Sequence, residues 1–114
     1  MSVRYGEVFY IHRSGKEEGS EMQAGRPGVV VSNDSNNKYS KTITVVYLSS
    51  KRATLPTHIP LPARDGLRRS IAMCETVTTV SRSRLGNFIT TLTDEEMALI
   101  RKGCGIQLNM GSNL

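Results

Sequence analysis

The chain has 114 residues, with 15 Lys and Arg against 10 Asp and Glu, and a formal charge of +5 at pH 7. That length predicts a single domain over residues 1–114, able to bury roughly two thirds of its unfolded surface around one core. A composition 38% hydrophobic and 22% charged is that of a globule and excludes a disordered chain. No apolar run reaches the roughly 18 residues of a membrane span, and the N-terminal stretch lacks the apolar core of a signal peptide. Cys74 and Cys104, the two cysteines, form no C-x-x-C pair. Neither a disulfide scaffold nor a cysteine zinc site is expected, and the default location is cytoplasmic.

Residues 7–11, Glu-Val-Phe-Tyr-Ile, predict a first strand, and His12 to Gly25 a long polar loop without apolar periodicity. Pro27 to Ser32 suits a short buried strand. Asn33 to Lys38 reads as a turn, because Asn and Asp side chains satisfy neighbouring backbone groups. Thr42 to Leu48 is the clearest strand, dominated by β-branched residues. A basic loop from Ser49 to Pro56 leads to a short edge strand over 58–61, where Pro60 cannot donate to a ladder. Ser70 to Val80 reads as one further strand and Phe88 to Leu92 as the last. A helix then opens at Thr93-Asp94-Glu95-Glu96, a capping box with Leu92 and Met97 at the staple positions. Met97, Ile100 and Cys104 form a narrow apolar stripe, which assigns Met97 and Cys104 to the core, and Gly103 and Gly105 are expected stops. Short strands followed by one helix predict a mainly β fold, a small antiparallel, partly closed barrel.

The charge is unevenly placed: residues 26–60 carry +4 and 61–92 carry +3, whereas each end carries −1. Such a basic zone suits a phosphate-bearing partner, and equally a solvated surface. With four Tyr, two Phe and no Trp, a wide base-stacking platform is not expected. No phosphate-binding Gly loop, G-x-S-x-G elbow or H-E-x-x-H motif is present, and His12 and His58 alone do not make a hydrolytic zinc site. The polar residues that remain gather near strand ends: Arg26 before the second strand, Ser49-Ser50-Lys51 after the third, Thr57-His58 and Glu75. They suffice for metal-free RNA cleavage, in which the 2′-hydroxyl is the nucleophile and the protein aligns it, neutralises the phosphorane and moves two protons. Each has a plainer reading: Arg26 and Ser49 as surface residues, His58 as a satisfied histidine, Glu75 as an ion-pair partner.

The run Gly19-Ser20-Glu21, Arg26-Pro27, Val29-Val30-Val31 and Asn33-Asp34 resembles the MazF/PemK family of toxin endoribonucleases. Leu48-Ser49-Ser50, Leu55-Pro56-Thr57-His58, Cys74-Glu75, Arg84-Leu85-Gly86 and Leu92 to Met97 follow in the same order, so the likeness spans about residues 4–108. The resemblance implies an SH3-like barrel with a C-terminal helix, a homodimer, and no cofactor or metal. It implies sequence-specific cleavage of single-stranded RNA (mRNA) to 2′,3′-cyclic phosphate and 5′-hydroxyl ends, and a cognate antitoxin with an acidic extended tail. Arg26 and Ser49 would be catalytic, with Glu21, His58 and Glu75 the candidates for proton transfer. Ser20, Glu21, Ser50, Lys51, Thr57, His58, Glu75 and Thr76 would line the RNA path. Thr76 and Thr78 stand where many members carry Gln and Arg. The rival expectations are a gyrase-poisoning toxin of the same fold and a barrel that binds nucleic acid without cleaving it.

Overall fold

The computed structural model describes residues 2–13 and 25–111. Seven strands form one antiparallel system: β1 (Glu7–Ile11), β2 (Arg26–Val30), β3 (Thr42–Ser49), β4 (His58–Leu61), β5 (Ser70–Met73), β6 (Thr78–Ser81) and β7 (Leu85–Thr91). A short helix α1 (Asp34–Tyr39) lies between β2 and β3, and the longer α2 (Asp94–Gln107) ends the fold. The pairing order is β4-β5-β3-β2-β1-β7, with β6 also on β3. Because β6 edges β3 and β7 edges β1, the chain running from β6 to β7 closes the sheet upon itself. Two backbone bonds fix that closure, Arg82 N to Lys41 O at 2.8 Å and His12 N to Arg84 O at 2.8 Å. This is the expected small barrel with a C-terminal helix.

The strand period of two sorts the core. Val8, Val29, Val46 and Leu48 face Met97 and Ile100 of α2, whereas Phe9, Ile11, Val30, Ile43, Val45 and Tyr47 join Ile71, Met73 and Val80 on the opposite side of the sheet. β3 is therefore covered on both faces, which is why its sequence reads as a nearly continuous apolar run.

Three local expectations change. Asn33–Lys38 is not a simple turn: Asn33 caps a helix by accepting from Asn36 N at 2.8 Å, and Asn37 is buried with its amide on Ser32 O at 2.8 Å. Arg82 closes the far end, donating to the carbonyls of Asn37 and Ser40. The run 70–80 is two strands, not one, interrupted by a 3₁₀ turn at Cys74–Thr76. Gly103 and Gly105 lie inside α2 and do not end it. Gly103 is there for close approach, since a Cβ at this position would stand 2.6 Å from Cys74 Sγ. The stop falls instead at Leu108 and at Asn109, whose φ of 56° supplies the left-handed residue a helix C-terminus uses.

The capping box forms as expected: Glu96 N donates to Thr93 Oγ1 at 3.1 Å and Thr93 N to Glu96 Oε1 at 2.9 Å. The same carboxylate receives the Arg64 guanidinium in a two-pronged pair, Nη1 to Oε1 at 2.8 Å and Nη2 to Oε2. That pair ties the start of α2 to the loop before β5. Arg64, opposing burial and backed by the cap, holds the Glu96 carboxyl down at about 2, against an ordinary 4.5. A depressed carboxyl stabilises the fold fully above its unfolded value and loses that contribution as pH falls toward its folded one. Urea unfolding should therefore show stability dropping between about pH 4.5 and pH 2, by at most about 3 kcal/mol from this group. Glu96→Gln should flatten that part of the profile and cost stability at pH 7.

Candidate functional site

β2 and β3 pair with Gly28 opposite Tyr47 and Val29 opposite Val46. Continued by two residues, this register sets Arg26 across from Ser49 at the end of the ladder. The sequence separates them; the pairing brings them to one place. Both line an open cleft of about 330 Å³ together with Pro27, Ser50, Lys51, Leu67, Arg68 and Ser70. The Nε of Arg26 is buried and has no hydrogen-bond partner among the described residues. A guanidinium nitrogen withdrawn from water and left without an acceptor costs free energy, and it is satisfied when an anion enters. The Ser49 hydroxyl accepts from Lys51 N at 3.2 Å, which turns the chain sharply after β3 and leaves its O–H hydrogen free to donate.

The charged side chains that line the cleft among the described residues are Arg26, Lys51 and Arg68, all cations. Among the described residues, none of Arg26, Lys51, Arg52, Arg68 and Arg69 is in an ion pair. A second cleft of about 530 Å³ adjoins the first through Ser50, Lys51 and Ser70 and adds Arg52 and Arg69. Arg68, Arg69 and Ser70 were not among the residues singled out from sequence. The usable signal was two successive arginines immediately before a strand; Ser70 itself donates to Arg68 O at 2.7 Å and so shapes that corner.

Thr57, His58 and Glu75 form a separate cluster. Glu75 accepts from Thr57 Oγ1 at 2.8 Å and lies 2.8 Å from His58 Nε2. His58 Nδ1 accepts the backbone N–H groups of Thr54 and Leu55 at 3.0 and 3.3 Å. Because Nδ1 is an acceptor, the ring hydrogen sits on Nε2 and points at the carboxylate. Both nitrogens of His58 are thus engaged, and its side chain is only 8% exposed. Burial works against the Glu75 charge, but hydrogen bonds from His58, its own backbone N–H and Thr57 outweigh it and lower the pKa. Glu75 is an ionised acceptor that holds the 54–58 turn against the 3₁₀ turn.

Thr76 has a comparable duty: its hydroxyl donates to Met73 O at 2.6 Å and accepts Tyr47 N at 3.0 Å. Ser20 and Glu21 lie outside the described residues. The cleft therefore unites Arg26, Ser49, Ser50 and Lys51, while Thr57, His58, Glu75 and Thr76 stand in the hydrogen-bonded turns that support it.

A strand-end cleft of unpaired cations and hydroxyls on a small barrel is the equipment of a protein that handles phosphodiesters. The family model for PemK-like, MazF-like toxins of type II toxin–antitoxin systems matches residues 4–108, and the chain belongs to that family. Endoribonuclease EndoA of Bacillus subtilis (strain 168) is 35% identical over 112 residues, covering 95% of this chain and 96% of its own. Among solved structures, MazF from Deinococcus radiodurans superposes with a TM-score of 0.84 at 20% identity, covering 96% of this chain and 99% of its own. A mycobacterial endoribonuclease in complex with its cognate antitoxin superposes at 0.78 with 21% identity, over 95% and 96% of the two chains. These structural likenesses establish the fold.

Thr76 gives a direct check on the local argument. Thr76→Val keeps the shape but strands Tyr47 N–H and Met73 C=O, and should cost about 1–3 kcal/mol in urea unfolding. Thr76→Ser should recover most of the loss.

Proposed function

We propose that this chain is the toxin of a type II toxin–antitoxin pair and cleaves single-stranded RNA without a metal ion. The buried Arg26 Nε beside Ser49, without an acceptor among the described residues, carries this reading, and the 35% identity to an endoribonuclease supports it. The 2′-hydroxyl of the RNA attacks the adjacent phosphorus and the 5′-oxygen leaves, giving a 2′,3′-cyclic phosphate and a 5′-hydroxyl. Charge on the nonbridging oxygens rises as the phosphorane forms. The planar fork of Arg26 meets that charge with two donors at once, and the Ser49 hydroxyl fixes one oxygen. Lys51 and Arg68 hold the flanking phosphates, and Arg52 and Arg69 continue the cationic path into the second cleft. A single strand in such a path presents its base edges and 2′-hydroxyls for reading. Glu75, His58, Thr57 and Thr76 set the turns that border it, and Ser20, Glu21 and Ser50 complete the path in this reading.

The active unit is a homodimer of single-domain chains over residues 1–114 that acts in the cytoplasm. Among the described residues no helix is long and apolar enough to cross a membrane. A cognate antitoxin with an acidic, extended segment is the natural occupant of a cleft whose described lining holds cations and no acids. Solved relatives from Deinococcus radiodurans include MazE-MazF complexes.

The decisive measurement is cleavage of a mixed-sequence RNA pool in EDTA, with end mapping. Arg26→Ala should lower the rate by about two to three orders of magnitude, the loss typical of a donor to charge developing in a transition state. Arg26→Lys should restore little, because it keeps the charge and loses the fork. Parental cleavage by Arg26→Ala in EDTA sinks the mechanism. RNA binding without products by the parent protein would identify a non-cleaving barrel.

A further inference from the structure

Cys74 and Cys104 are the free cysteines of the chain, far apart in sequence and adjacent in the fold. Cys74 opens the 3₁₀ turn, fully buried, with its N–H on Thr57 O at 3.0 Å. Its Sγ lies 3.5 Å from the carbonyl oxygen of Ile100, one helical turn before Cys104 on α2. Gly103 makes that approach possible, since any side chain there would meet Cys74 Sγ at 2.6 Å. Cys104 packs against the cluster that contains Cys74, and its place on α2, beside Gly103 and one turn after Ile100, sets it next to the Cys74 sulfur.

Their surroundings differ. Cys104 is half-buried and lines an apolar cleft of about 680 Å³ with Val31, Val77, Leu108 and Met110, so small molecules reach it. Cys74 is sealed behind it. The neighbouring Cys74 lowers the Cys104 pKa, whereas the Cys104 sulfur and then burial raise that of Cys74. One thiol is half-buried and open to a cleft; the other is sealed behind it and placed to resolve.

We propose that Cys74 and Cys104 are a peroxide-reactive thiol pair that closes to an intramolecular disulfide and staples the 3₁₀ turn to α2. The Cys104 sulfur attacks one oxygen of a hydroperoxide; the O–O bond breaks, an S–O bond forms, and the other oxygen leaves as the alcohol or water, carrying the thiol proton. Cys74 then gives up its proton and attacks the Cys104 sulfur; the S–O bond breaks and hydroxide leaves with that proton as water. Two thiols are oxidised and one peroxide is reduced. Closing the gap between the two sulfurs to a bond of about 2.05 Å draws Cys74 toward α2. The next residue is Glu75, which holds Thr57 and His58, so the oxidation state is felt at the turns bordering the cleft. This pairing stands independently of the nuclease reading.

The test treats the full chain under native conditions with limiting hydrogen peroxide, blocks free thiols with a maleimide, and digests it for mass spectrometry. The expected result is joint loss of both thiols and a crosslinked peptide joining residues 74 and 104 within one chain, reversed by a dithiol. Cys74→Ser should leave Cys104 as a sulfenic acid trapped by dimedone, with no crosslink. Cys104→Ser should leave Cys74 reduced. Both thiols remaining free in the parent, oxidation to sulfinic acid without a crosslink, or crosslinks only between chains would overturn the proposal.

Discussion

One edge of β3 has to serve two partners. β6 pairs with Thr42 to Val45, and β5 pairs with Leu48 and Ser49, so no single strand runs along that edge. The chain between Met73 and Thr78 must leave the sheet, turn, and return. At the gap Tyr47 N–H has no strand partner, and a buried amide in that state is costly. Thr76 Oγ1 fills the place at 3.0 Å while its own hydrogen goes to Met73 O. That handover bends the sheet far enough to close through β6 and β7. It also puts Cys74 and Glu75 on the turn, facing α2 and the 54–58 segment respectively.

Much of the site follows from this bend. With β5 taking over the edge only at Leu48, the tip of β3 projects Ser49 at the boundary of the two sheet halves, and the β2 register puts Arg26 opposite. Rigid ladders thus position the two residues with the strongest chemical claim, which favours the sub-ångström placement catalysis needs. The other wall of the cleft, Leu67 and Arg68, comes from a loop that has no ladder of its own beyond the Arg64–Leu67 bridge. Its anchor is the Arg64–Glu96 pair, and through it the start of α2. The helix cap thus anchors the loop that supplies this wall of the cleft.

Sequence made the locally determined parts legible. β1, β3 and β4 follow from β-branched runs and turn residues, and the start of α2 from Thr93 and Glu96, because each rests on neighbours in the chain. What it missed depends on distant partners. The Asn-rich segment at 33–38 becomes helical because Arg82 supplies donors to its last carbonyls. Gly103 stays inside α2 because Cys74 needs the space, although local chemistry marks it as a stop. The site divides in the same way. Arg26, Ser49, Ser50 and Lys51 were found as types near strand ends and do converge. Arg68 and Ser70 come from an element whose approach to β3 no local pattern encodes. His58 and Glu75 are legible from sequence only as separate candidates for proton transfer; the geometry joins them and engages both imidazole nitrogens.

The same distinction explains the net charge. Four acids of the described barrel are held by the fold: Asp34 by Tyr5 N and Arg4, Glu7 by Arg4 N, Glu75 by His58 and Thr57, Glu96 by Arg64 and the α2 cap. Arginines divide accordingly. Arg64 and Arg82 are structural cations whose donors close a helix start and a helix end. Arg26, Lys51, Arg52, Arg68 and Arg69 are left around two adjoining clefts with no carboxylate among the described residues to answer them. A surplus of five positive charges spread over a surface would be weakly informative. Here folding ties four of the acids into caps and turns and gathers Arg26, Lys51, Arg52, Arg68 and Arg69 around the end of β3, where Arg26 Nε lacks an acceptor among the described residues. An anionic backbone entering there supplies the missing acceptor and the missing charge together, which is why one ligand chemistry accounts for both.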